Sequence, residues 1–387
     1  MPRIFRQPAR VLLAIAVIGS LLWYLWPRPE ETVRAAIVGL PQNAGEFARA
    51  VEPYAFDFPR DHGPHPDYQT EWWYYTGNLE TPDQRHFGYQ LTFFRRAIRG
   101  PSERQTRSSA WATEQIYMAH FTLTDVSGRQ FRFFERFERG AAGLAGATAD
   151  PAYRVWVGDW SVEQTGPDTY RLRAVEDDIH IDLSLNDEKG VVLQGDEGLS
   201  AKGPQPGNAS NYYSQTRLRS SGQISIGDQS FTVQGDSWLD REFGTSQLSE
   251  GDVGWDWFAL QLNDGSELML YYLRQKDGGI SDFSSGTLIK PDGTALDLAR
   301  DDFQLTARDT WRSPYSGAEY PSRWNIRIPD QGIELDVEPY LQDQELRVSY
   351  VYWEGAVRVS GRSGAQPVSG NGYVELTGYH SSLGGQF

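Results

Sequence analysis

The chain of 387 residues contains no cysteine. Disulfides, thiol catalysis, thiolate metal sites and a lipid-modified N-terminal cysteine are therefore excluded. Export is not argued against by that absence. Methionine is scarce, with 3 residues, and long Ala/Leu/Glu/Lys runs of helical period are missing from the body of the chain. Positive charge is also short: 36 Lys and Arg stand against 52 Asp and Glu, a net charge of −16. Such a surface repels phosphate backbones, so nucleic acid is not expected as a partner. No Gly-x-Ser-x-Gly elbow, His-Glu-x-x-His helix or Gly-rich phosphate loop appears in the sequence. The usual hydrolytic and nucleotide-binding signatures are thus missing.

What the chain does have is aromatic. It carries 13 Trp, 20 Tyr and 18 Phe, with 39 Gly and 21 Pro. That is the profile of strands joined by turns. The N-terminus differs: Arg3, Arg6 and Arg10 precede an apolar run over 11–26, closed by Pro27 and Pro29. A basic start before an apolar stretch reads as a signal peptide or signal-anchor over 1–26, with the body in the periplasm or cell envelope. Residues 27–50 read as a linker.

Beyond it, alternating runs separated by turn residues recur at roughly 8–12-residue spacing, which predicts an all-β protein of antiparallel barrels or sandwiches. Glu71–Gly77 and His86–Arg95 form one aromatic hairpin. Trp255–Leu262 and Glu267–Arg274 form another, around Asn263-Asp264-Gly265. The segments closing each half also rhyme, GDSWLDREFG over 235–244 and GYVELTGY over 372–379. The echo suggests a duplication, with domains over 51–246 and 247–387.

With period two, Trp238, Asp240 and Glu242 share one face of a strand; Leu239, Arg241 and Phe243 share the other. Acids two residues apart lie roughly 7 Å apart at strand spacing. Facing water they are ordinary surface charges. Facing a cavity walled by tryptophan and tyrosine, one of them is raised in pKa and becomes a proton donor. Asp240 and Glu242 are therefore the candidate catalytic residues. Among the histidines, His62 and His65 read as a structural turn; no metal spacing accompanies them. His120 sits mid-strand, as an interior histidine or a cavity-facing proton carrier. Glu71 is expected to bond the loop before it, and Tyr213 to sit at a barrel mouth.

Seven stretches in order, among them DHGPHPDYQTEWWYYTGNL, IYMAHFTLTD, NYYSQTRL and GDSWLDREFG, resemble the carotenoid 1,2-hydratase family over residues 52–380. They are most similar to its secreted lipocalin-like branch, which includes attachment-related proteins and proteins labelled secreted hydrolases. The resemblance implies two tandem lipocalin-like β-barrels with an apolar ligand cavity at or between them. It also implies hydration or cyclisation of an alkene without metal or organic cofactor. The hydratase block Asp-His-Asn-x-Gly matches Asp240–Gly244, with Arg241 and Glu242 replacing His and Asn; an acid of the hydratases is matched by Arg274. The residues expected to line the pocket are Trp73, Tyr75, His120, Tyr213, Trp238, Trp255, Trp257 and Tyr272. The expected ligand is an isoprenoid or lipid. A second possibility is a non-enzymatic lipid carrier, or an accessory to an ABC-type export permease, held at the membrane by its N-terminal segment. A secreted hydrolase is a third, and no nucleophile–base–acid set in the sequence supports it.

Overall fold

A computed structural model describes residues 47–104, 108–245, 248–249 and 251–383. The signal or anchor segment expected over 1–26 and the linker over 27–46 lie outside them. Among the described residues the only helical elements are three single 3-10 turns; everything else regular is strand.

The strands form two curled antiparallel sheets, of 13 and 10 strands, drawn from 70–244 and 252–376. Each is built around the same motif. In the first, Thr70–Glu80 pairs with the next strand, His86–Ala97, and with the last, Gln229–Gly244. In the second, Asp252–Leu262 pairs with the next strand, Glu267–Gln275, and with the last, Gln366–Leu376. The aromatic echo in the sequence thus falls on topologically equivalent strands. Closed barrels were expected, but neither sheet is closed by hydrogen bonds. The first runs out at Gln130–Arg139 on one side and Ala145–Thr148 on the other, giving a near-barrel; the second is a half-barrel.

Alternation decides where the side chains go. One face of the first sheet buries Trp73, Tyr75, Leu91, Phe121 and Leu239 in the first core. One face of the second buries Phe258, Leu270, Tyr272, Trp324 and Val374 in the second core. The opposite faces meet. Tyr74, Tyr212, Trp238, Trp257, Tyr271 and Tyr373 form a third apolar layer between the lobes. That contact is tight: a methyl group on Gly88 would fall 2.4 Å from the Ala356 Cβ. Side chains of the two cores pack the curled interiors, and an aromatic-walled hollow lies between the sheets.

Candidate functional site

The cavity in the shared layer has a volume of about 80 Å³. Its floor is Tyr74, Tyr212, Asp240 and Glu242 from the first lobe and Trp257, Tyr271 and Glu375 from the second, with Lys202 at one end. Its rim includes Trp72, Phe94, Trp255 and Tyr350, all half-buried. It holds several waters at most. Typical small-molecule pockets are some 300–1,000 Å³, so this hollow takes the reacting end of a larger ligand and lets the rest pass the aromatic rim.

Asp240 is placed by its strand. It lies across the ladder from Tyr74 on one side and Ser214 on the other. Its carboxyl accepts from Ser214, from Tyr212 and, at 2.7 Å, from the Trp238 indole N–H. Burial pushes it up from 3.8 to about 6; the three donors pull the other way, and the charge of Glu242 adds to the rise. Glu242 accepts from Ser210, and Lys202 Nζ stands 3.5 Å away. The Lys202 ammonium also lies 4.0 Å from the centre of the Tyr271 ring. Burial works against its charge, but Glu242 and Tyr271 outweigh that and raise its pKa.

Across the cavity is Glu375, on the closing strand of the second lobe, at the place Asp240 holds in the first. Its neighbours in the ladder are Trp257 and Glu354. The Trp255 indole N–H donates to it. Burial pushes it up to about 7, with Asp240 and Glu242 adding to the rise. Glu354 beside it is also raised, by burial and then by Glu375. Burial thus raises both carboxyls toward neutral pH, so the site holds acids able to give a proton there.

Of the expected pocket residues, Trp255 and Trp257 lie on the cavity and Trp238 lies just behind, holding Asp240. Trp73 and Tyr75 do not line it: they sit in the first core, where Trp73 donates to the His62 carbonyl at 2.8 Å and Tyr75 meets the Tyr153 hydroxyl at 3.0 Å. Tyr213 is also turned inward, 2.7 Å from His62 Nδ1. Tyr272 stacks on Phe303 in the second core. In each case the adjacent aromatic, Trp72, Tyr74, Tyr212 or Tyr271, takes the cavity side. His120 is buried in the seam beside the cavity and does not line it. Glu71 does bond the loop before it, through the His65 N–H, and is gripped by Arg95 and Arg241. The sequence reasoning passed over Glu375 and Lys202. The rhyme between 235–244 and 372–379 was the available signal for Glu375; nothing local marks Lys202. No cluster able to hold a metal ion occurs among the described residues.

A family model described as AttH-like matches residues 49–379. The crystal structure of an AttH-type protein from Nitrosomonas europaea is similar at 33% identity and a TM-score of 0.76, over 86% of this chain and 100% of that one. Kievitone hydratase from Nectria haematococca gives 15% identity and a TM-score of 0.64, over 87% and 96%. CghA with Sch210972 gives 11% and 0.51, over 88% and 98%. At those identities the last two share the fold alone. No curated protein sequence matches the chain.

Proposed function

The chain belongs to the AttH-like family, and on that premise we propose that the seam between its lobes binds the unsaturated end of an apolar molecule and protonates it. The observation that carries this reading is the pair Asp240, buried, and Glu375, half-buried, two carboxyls raised to about 6 and about 7 on one aromatic-walled cavity. Kievitone hydratase shares the fold, which supports addition of water; ring closure is the other reaction that the resemblance to the carotenoid 1,2-hydratase family implies.

In the hydration, Glu375 gives its proton to one alkene carbon, and the π pair forms the new C–H bond. The neighbouring carbon becomes cationic. The faces of Trp72, Trp255 and Trp257 and the Asp240 carboxylate stabilise that charge in a site poor in water. A water molecule then forms the C–O bond, and a carboxylate takes its extra proton. In a cyclisation, a second double bond of the same molecule replaces the water, and a carboxylate removes a proton from the ring. Asp240, already carrying three hydrogen-bond donors, suits the base; Glu375 suits the acid.

Incubation with acyclic terpenoid alkenes in ¹⁸O-water tests this. Wild type should give product that has gained one labelled water, or a cyclic isomer. Asp240→Asn and Glu375→Gln should each abolish it, and full turnover in both variants would sink the mechanism. We place the reaction outside the cytoplasm because of the arginine-flanked apolar run near the N-terminus; a periplasmic reporter fused after residue 50 should be active if so.

A further inference from the structure

The cavity holds a charged pair, Lys202 and Glu242, that the proton transfers assigned to Glu375 and Asp240 do not use. Lys202 directly follows Leu199–Ala201, a short strand paired with Ala209–Ile226, and its backbone N–H donates to the Asn208 carbonyl at 2.7 Å. The backbone thus fixes where the side chain starts. That side chain is 9% exposed and reaches the cavity, where its ammonium donates to Ser200 Oγ at 3.0 Å and rests on the Tyr271 ring. Glu242, on the same cavity, is 7% exposed.

The two charges do not close tightly on each other. Lys202 Nζ is 3.5 Å from Glu242 Oε1, against about 2.7–2.9 Å for a strong charge-assisted hydrogen bond. Ser210 and Lys202 both approach Oε1, which leaves Oε2 to accept from a ligand. An ammonium beside a carboxylate matches a hydroxyl: its oxygen accepts from the N–H, and its proton goes to the carboxylate. A ligand carboxylate would instead meet three acids, Asp240, Glu242 and Glu375, against this one cation on the cavity. A hydrocarbon would cover both charges and satisfy neither. Asp240 and Glu242 stand two residues apart on one face of Gln229–Gly244, so a group held by Glu242 lies roughly 7 Å from one held at Asp240. A short branched alkyl chain spans that distance.

We propose that Lys202 and Glu242 form a hydroxyl-binding subsite, so that the ligand is an unsaturated alcohol whose hydroxyl lies roughly 7 Å from the reacting double bond. This rests on the seam binding the unsaturated end of an apolar molecule, and it names the polar group that molecule carries. The hydroxyl oxygen accepts from Lys202 Nζ and the hydroxyl proton is shared with Glu242 Oε2. No proton changes owner there. The pair selects the ligand and sets its double bond against Glu375 and Asp240.

Four probes of one isoprenoid skeleton test this on the full-length protein: geraniol, its methyl ether, the parent hydrocarbon diene and geranic acid. Dissociation constants are read at neutral pH from the change in tryptophan emission. Geraniol should bind about 10- to 100-fold more tightly than the hydrocarbon, the worth of hydrogen bonds to charged groups. The ether accepts but cannot donate, so it should fall between them. Geranic acid should bind more weakly than geraniol. Lys202→Met/Glu242→Met removes both charges together, a replacement that buried ion pairs often tolerate. It should keep the affinity for the hydrocarbon and erase the preference for the alcohol. Equal affinity of wild type for alcohol, ether and hydrocarbon overturns the subsite, whatever the double variant does to folding. Tighter binding of the acid overturns it too, and so does a preference for alcohol that survives in the double variant. If no probe binds, the seam is not the ligand site and the reading beneath this proposal falls; if the hydrocarbon binds as well as the alcohol, the hydroxyl subsite alone falls.

Discussion

Replacing Glu375 by Gln should change how stability depends on pH. The folded protein holds this carboxyl at about 7, against 4.5 for the ordinary group, chiefly through burial. Between those values the folded state binds a proton that the unfolded state has lost. Stability linked to Glu375 is then fully present below 4.5 and is lost as pH rises through about 7. At 1.36 kcal/mol per pH unit, the loss amounts to about 3 kcal/mol. Glu375 is half-buried, so solvent screening lowers that figure, and coupling to Asp240 spreads it over the pair. Glutamine keeps the shape and can still accept from Trp255, yet it never ionises. Urea denaturation of wild type and Glu375→Gln at about pH 4 and about pH 8 isolates the effect, because other titrating groups cancel in the difference. Relative to wild type, the variant should gain about 3 kcal/mol between the two conditions, whatever constant offset the amide introduces. A difference that stays flat across that range would refute the placement of a protonated Glu375 in a dry seam.

Lys202→Met should strand Glu242 without its cation and cost about 3 kcal/mol in denaturant unfolding, with Lys202→Met/Glu242→Gln recovering most of it. Arg241→Ala should cost about 3–5 kcal/mol, since it strips a buried partner from Glu71, while leaving the affinity of the folded protein for apolar probes unchanged, because Arg241 faces away from the cavity. An apolar tertiary ammonium ion should quench tryptophan fluorescence at lower concentration than its neutral hydrocarbon isostere. The preference should be about 2 kcal/mol, the value of a desolvated cation against aromatic faces. Equal affinities would remove the proposed stabilisation of a cationic intermediate.

The fold was legible because its signals are local. Alternation, the Asn263-Asp264-Gly265 turn and the repeated aromatic hairpin mark strands without reference to anything distant. The face bearing Trp238, Asp240 and Glu242 followed from period two alone. Which face turns to the ligand did not. Trp72-Trp73-Tyr74-Tyr75, Tyr212-Tyr213 and Tyr271-Tyr272 put aromatics on both sides of their strands, so composition cannot separate core from cavity. A barrel suggests a hollow on the inside; here the insides are packed and the hollow is the seam, which shifts the pocket residues by one position. Closure was illegible for a similar reason, since whether Gln130–Arg139 meets Ala145–Thr148 depends on curvature summed over many strands. Lys202 and Glu354 reach the site through contacts between residues far apart in the chain, and no spacing rule announces them.

The two carboxyls can be observed directly. Carbon-13 NMR of protein labelled at the Asp and Glu carboxyl groups, with Asp240→Asn and Glu375→Gln to assign the signals, gives their titration curves. Glu375 should titrate near 7 and Asp240 near 6, each altered when the other is removed. Titration of both at the ordinary values of 4.5 and 3.8 would mean that water reaches the seam freely and that no acid is held there for catalysis.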